Sequence, residues 1–123
     1  MIESSLRRKQ AKFASMAGFL LMKATVLKTP VVILEFYRDL QTQKAYIARG
    51  ASKKLNSKHL DGLAVDLAFI EDIEDDGKIN WIPDKYKALG EYWESLGGRW
   101  GGRFGDKPDT ENIEGWDLGH FEL

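Results

Sequence analysis

Cysteine is missing from this chain, which excludes disulfides and leaves no thiolate to bind a metal. Histidine is nearly missing, with only two in 123 residues. A charge of one sign is missing as well. Eighteen Lys and Arg stand against 19 Asp and Glu, a net charge of −1, so nothing favours nonspecific attraction to nucleic acid or to an anionic membrane. No apolar run approaches the ~20 residues that cross a bilayer, so membrane insertion is not expected. Repeats, low-complexity stretches and linkers are lacking too. A chain of 123 residues then reads as one domain, residues 1–123, with room for a core but not for a catalytic domain plus a binding module.

What is present begins with Arg7, Arg8 and Lys9 ahead of an apolar stretch, the order found in a secretory signal. Ser15 and Lys23 interrupt that stretch, however, and no small-x-small cleavage site follows. Leu6, Phe13, Met16, Leu20, Ala24 and Leu27 fall at helical spacings, so the segment reads as an amphipathic helix and not as an export signal. The expected location is the cytoplasm in which the chain is made.

Beyond Pro30, the run Val31–Phe36 has the composition of a buried strand. Asp39 is placed to cap a helix through Arg49, and Gly50 to end it in the left-handed conformation. Residues 51–58 are polar and loop-like. Gly62–Ile70 reads as a second strand, with Ala64, Asp66 and Ala68 on one face and Val65, Leu67 and Phe69 on the other. Asp72, Glu74, Asp76 and Gly77 fit the first half of a calcium loop, but Pro83 occupies the place of the closing glutamate. The acidic run is better read as a hairpin turn at Asp76-Gly77 leading into Lys78–Ile82. Pro83 opens a helix through Leu96, with Ile82, Tyr86, Leu89, Trp93 and Leu96 on its apolar stripe. The glycine-rich segment Gly97–Gly105 follows a helix and has no Gly-Lys-Ser/Thr ending, so it is not a phosphate loop. Its Trp100, Arg103 and Phe104 are expected to pack that loop down, with a groove lining as the alternative. Trp116–Leu123 reads as the closing strand. The fold class expected is α+β, a small antiparallel sheet with helices packed around it.

The chemistry concentrates in two segments, Ser57-Lys58-His59-Leu60-Asp61-Gly62-Leu63-Ala64-Val65-Asp66 and Trp116-Asp117-Leu118-Gly119-His120-Phe121-Glu122. Between them they hold both histidines, each with a carboxylate close by. Two imidazoles and one carboxylate form a three-ligand set for a catalytic zinc with a fourth position open to water. Asp117 is then available as a second carboxylate to take a proton. Asp117 and His120 are three apart, which on a regular strand would put them on opposite faces, so the chain must bend, and Gly119 makes a bend feasible. Glu122 shares the face of His120, where it would either orient that ligand or face solvent.

Ser-x-His-x-x-Gly-x-Ala-x-Asp followed by Gly-His-Phe-Glu resembles the zinc peptidases of the D-Ala-D-Ala carboxypeptidase, VanY-like group. That group includes L-alanyl-D-glutamate endopeptidases used as phage endolysins, and its fold is shared with the hedgehog signalling domain. The resemblance covers roughly residues 31–123. It implies one zinc on His59, Asp66 and His120, with Asp117 as general base. It also implies a substrate-holding role for Ser57. Arg38 matches the family arginine that steadies an oxyanion, although Phe36 stands where that arginine is commonly preceded by glycine. The activity implied is hydrolysis of a peptidoglycan stem peptide by a monomeric enzyme, most simply a phage lysis protein released from the host cytoplasm by a separate pore-former. The alternatives are a carboxypeptidase or dipeptidase with the same site and a zinc module without catalysis. A binding domain without zinc is a more distant one.

Overall fold

A computed structural model describes residues 2–50, 58–104 and 117–123. Among them are helices α1 (Ile2–Val26), α2 (Leu40–Ala48) and α3 (Pro83–Ser95), and strands β1 (Val31–Glu35), β2 (Ala64–Phe69), β3 (Arg99–Trp100) and β4 (His120–Glu122). The strands form one antiparallel sheet in the order β1-β2-β4-β3. The α+β expectation holds.

One face of the sheet is the core face. Val65, Leu67 and Phe69 alternate along β2 and, with Phe121 and Trp100, meet Phe13, Met16 and Leu20 of α1 and Tyr86, Leu89 and Trp93 of α3. The ring of Phe13 meets that of Trp93 edge-on at 5.7 Å. The periodicity that marked α1 is therefore a packing stripe, although Leu27 lies beyond the helix and is exposed. Ile82 is likewise exposed, because it is the residue that precedes α3 and not part of its stripe.

The helix ends follow the side-chain chemistry of the sequence. Asp39 accepts from the Thr42 N–H at 2.7 Å, and Gly50 has φ of +77° after the last turn of α2. Two expected strands are much shorter. Lys78–Ile82 contributes only a single antiparallel bridge, Ile73 to Ile79, around a turn with Gly77 at φ +84°. The following Pro83 opens α3 and leaves no length for a ladder. The closing strand is only His120–Glu122, because Asp117 to His120 is a tight turn closed by His120 N–H to Asp117 O at 3.1 Å. Trp116 falls outside the described residues. Strand β3, by contrast, was hidden in the glycine-rich segment.

Register positions the second face. Glu35, Asp66 and His120 stand opposite one another across β1, β2 and β4, and Ala64, Glu122 and Arg99 form the adjacent row. Glu35 reaches that row through a bulge between Ile33 and Glu35; without it, Leu34 would face Asp66.

Candidate active site

His59 comes from the turn ahead of β2. The chain reverses there at Gly62, whose φ of +68° is left-handed, and the Gly62 and Leu63 N–H groups bond back to His59 O and Lys58 O. Two bonds strap this turn to the segment after β1. His59 Nδ1 lies 2.9 Å from Phe36 O, and the Arg38 N–H donates to His59 O at 3.1 Å. With Nδ1 engaged by that carbonyl, Nε2 is the nitrogen left to face the site, and it lies 3.1 Å from Asp66 Oδ2. His120 is held in the opposite sense. Its Nδ1 faces Asp66 Oδ1 at 2.9 Å while its Nε2 lies 2.8 Å from Glu122 Oε1. His59, Asp66 and His120 thus offer two nitrogens and a carboxylate oxygen within 4.8 Å of one another.

Both histidines are buried, and their rings meet edge-on at 5.1 Å. Burial by itself pushes the Asp66 carboxyl up, but hydrogen bonds from His120 and His59 and their charge bring it down to about 2. Burial likewise disfavours a charged His120, yet its hydrogen bonds to Asp66 and Glu122 and the nearby Asp117 raise it to about 9. Glu122 is held below the usual glutamate value despite burial, chiefly by its bond to His120. The donor set fits zinc: two neutral-capable imidazoles, each oriented by an acceptor on its other nitrogen, plus an ionised carboxylate.

Asp117 stands apart from this set. Its Oδ2 is 3.7 Å from His120 Nδ1, and burial raises its carboxyl above the ordinary aspartate value, with His120 opposing and Asp66 adding to the rise. A carboxylate made more basic at the edge of a donor cluster suits proton transfer better than ligation.

The turn that carries Asp117 and His120 is clamped from several sides. A Cβ on Gly101 would collide with the Asp117 carbonyl, and one on Gly119 would collide with Leu67 O. Leu67 N–H donates to Gly119 O at 2.8 Å, and the buried Trp100 indole donates to Leu118 O at 2.7 Å. Packing the turn is thus what Trp100 does. Arg103 pairs with Glu94, and Phe104 lies 5.6 Å from the His120 ring.

Arg38 reaches the edge of the site without touching the donor set. Its Nε donates to Glu35 Oε1 at 2.6 Å, its Nη2 pairs with the same oxygen, and its Nη1 donates to the buried Gln43 at 2.6 Å. Tyr46 donates its hydroxyl to Glu35 Oε2 at 3.1 Å, and Glu35 Oε1 lies 3.8 Å from His59 Nδ1. Ser57 falls outside the described residues. Glu35 and Gln43 were not singled out from sequence. A lone glutamate ending the apolar run Val31–Leu34 was the available signal for the first.

An antiparallel sheet presenting a His-Asp-His cluster beside a further carboxylate defines a metallopeptidase-type site. The family model described as D-alanyl-D-alanine carboxypeptidase, of the M15 peptidases, matches residues 50–123, more than half of the chain, and the protein belongs to that family. A similar solved structure is the L-Ala D-Glu endopeptidase ChiX of Serratia marcescens, with 27% identity and a TM-score of 0.51, covering 77% of this chain and 67% of the other. No curated protein matches the sequence. No helix among the described residues is long and apolar enough to cross a membrane. Membership of a peptidase family implies a peptide substrate.

Proposed function

We propose that this single-domain protein is a zinc endopeptidase that cuts the peptidoglycan stem peptide between L-alanine and D-glutamate, acting as an endolysin of the phage type. The observation that carries the reading is that Asp66 sits between two imidazoles, His120 beside it in the sheet and His59 from the turn ahead of β2, whose remaining nitrogens are held by Glu122 and Phe36 O. Support for the bond cut comes from the similarity to ChiX, an L-Ala D-Glu endopeptidase.

Under this reading His59 Nε2, His120 Nδ1 and Asp66 hold the zinc. Bound there, zinc supplies a Lewis acid for the substrate carbonyl and lowers the pKa of a water. The Asp117 carboxylate accepts the proton of the attacking water and returns it to the leaving amine nitrogen. Glu122 and the Phe36 carbonyl hold the outer ring nitrogens, so that with the inner protons displaced the lone pairs of His59 Nε2 and His120 Nδ1 would face the zinc. Among the described contacts Arg38 keeps an N–H on each Nη for a developing oxyanion, while Glu35 and Gln43 hold its plane. Ser57, two residues ahead of His59 in sequence, holds substrate.

The family description favours one second reading, removal of terminal D-alanine from the same peptides. Mass spectrometry of fragments released from purified peptidoglycan separates the two. The endopeptidase exposes new amino termini at D-glutamate without new reducing sugars. Loss of D-alanine alone makes the protein a carboxypeptidase, and new reducing ends refute both.

A further inference from the structure

Trp81 packs against Gly119, in the turn that carries Asp117 and His120, from a segment that neither motif includes. It follows the acidic turn, directly ahead of α3, and is 40% exposed, with the 37% exposed Ile82 beside it. Trp93 and Trp100, in contrast, are fully buried and donate their indole N–H groups to Glu122 O and Leu118 O. Among the described residues no acceptor meets the Trp81 N–H.

The ring is nonetheless held in place. A Cβ on Gly119 would come within 2.7 Å of Trp81 Cζ3 and 2.9 Å of Cη2, so the indole rests on the backbone of the turn that joins Asp117 to His120. On its other side it leans on Tyr86 at 5.4 Å between centroids, and Tyr86 is itself buried, with its hydroxyl accepting from the Phe69 N–H at 3.3 Å. A large apolar surface is thus left in water beside the turn that carries Asp117 and His120, backed by the core. Such a surface loses little side-chain freedom when it is covered, which is the property of a preorganised binding contact.

We propose that Trp81 is a substrate-binding residue whose exposed indole surface stacks on a C–H-rich part of the peptidoglycan substrate next to the scissile bond. The proposal rests on the peptidase reading above. Two parts of that substrate have the required chemistry, the pyranose faces of the disaccharide and the aliphatic portions of the stem peptide.

The test compares the wild type with Trp81→Ala and Trp81→Phe on a disaccharide-bearing muropeptide and on the matching free stem peptide. Zinc content and thermal midpoint are measured alongside. In Trp81→Ala, KM is expected to rise about three- to tenfold, with kcat and zinc content retained, and Trp81→Phe to restore most of the loss. A rise confined to the muropeptide identifies the sugar as the stacked group, and an equal rise on both substrates identifies the peptide. An unchanged KM on both, or a fall in kcat at constant KM, overturns the proposal, the latter because it makes Trp81 a prop for the turn. If the alanine variant does not fold, the phenylalanine variant decides, by a smaller rise in KM or by none. A wild type inert toward both substrates overturns the peptidase reading and this proposal with it, whereas an active wild type matched by its variants overturns the proposal alone.

Discussion

Asp117 and Glu122 are carboxylates of one short segment to which the proposed mechanism gives opposite tasks, and their surroundings separate them. Glu122 is bound to His120 Nε2, on the far side of the imidazole from Asp66, and that contact keeps it ionised. Asp117 accepts no such bond among the described contacts and is made more basic by burial. Asp117→Asn should keep its zinc and its fold while kcat falls by about 100-fold or more, the loss expected when a general acid–base is removed. Zinc stoichiometry and wall-clearing rate measured together decide it, because loss of zinc would make Asp117 a ligand. Glu122→Gln should do the reverse. With the charge on its acceptor gone, His120 becomes a poorer donor, and zinc affinity measured by chelator competition should weaken about tenfold. An unchanged affinity would mean that the imidazole is oriented by its packing alone.

At the scale of elements, the parts legible in sequence were those with a local cause. Asp39 and Gly50 bracket α2 because a capping carboxylate and a left-handed glycine act within one turn of chain. The alternation of β2 and the spacing of α1 report a core face directly. Strand β3 escaped notice because Arg99–Trp100 is too short to show a period and is flanked by glycines. The bulge that brings Glu35 into the site row left no mark either, since it depends on pairing with β2 and not on the β1 sequence. The task of the glycine-rich segment leaves no local mark in the sequence: Gly101 makes room for the carbonyl of Asp117. Gly101→Ala should therefore displace that turn. A destabilisation of about 1–3 kcal/mol by denaturant melting is expected, as for other overpacked sites, together with reduced kcat at full zinc occupancy. A variant with wild-type stability and kcat would show that the turn yields freely.

For the whole molecule, the informative fact is that β2 and β4 are neighbours in the sheet although more than fifty residues separate Asp66 from His120. Periodicity alone does not give strand order, and it was the resemblance of two motifs taken together that placed both histidines in one site. That meeting couples the pH dependence of the fold to metal binding. In protein stripped of metal by chelation, the raised His120 contributes stability that is fully present below 6.5 and lost as pH rises through about 9. The lowered Asp66 contributes stability present above 3.8 and lost as pH falls through about 2. Glu122 acts in the same sense as Asp66, while Asp117, raised by burial, acts against them. The stripped protein should thus draw most from this cluster between 3.8 and 6.5, the window bounded by the two ordinary values. Zinc needs His120 unprotonated and must displace that proton, so its stabilising effect runs the other way with pH. The rise in thermal midpoint on adding zinc should be small at about pH 5 and clearly larger at about pH 8. An equal rise at both values would show that the metal is not bound through His120.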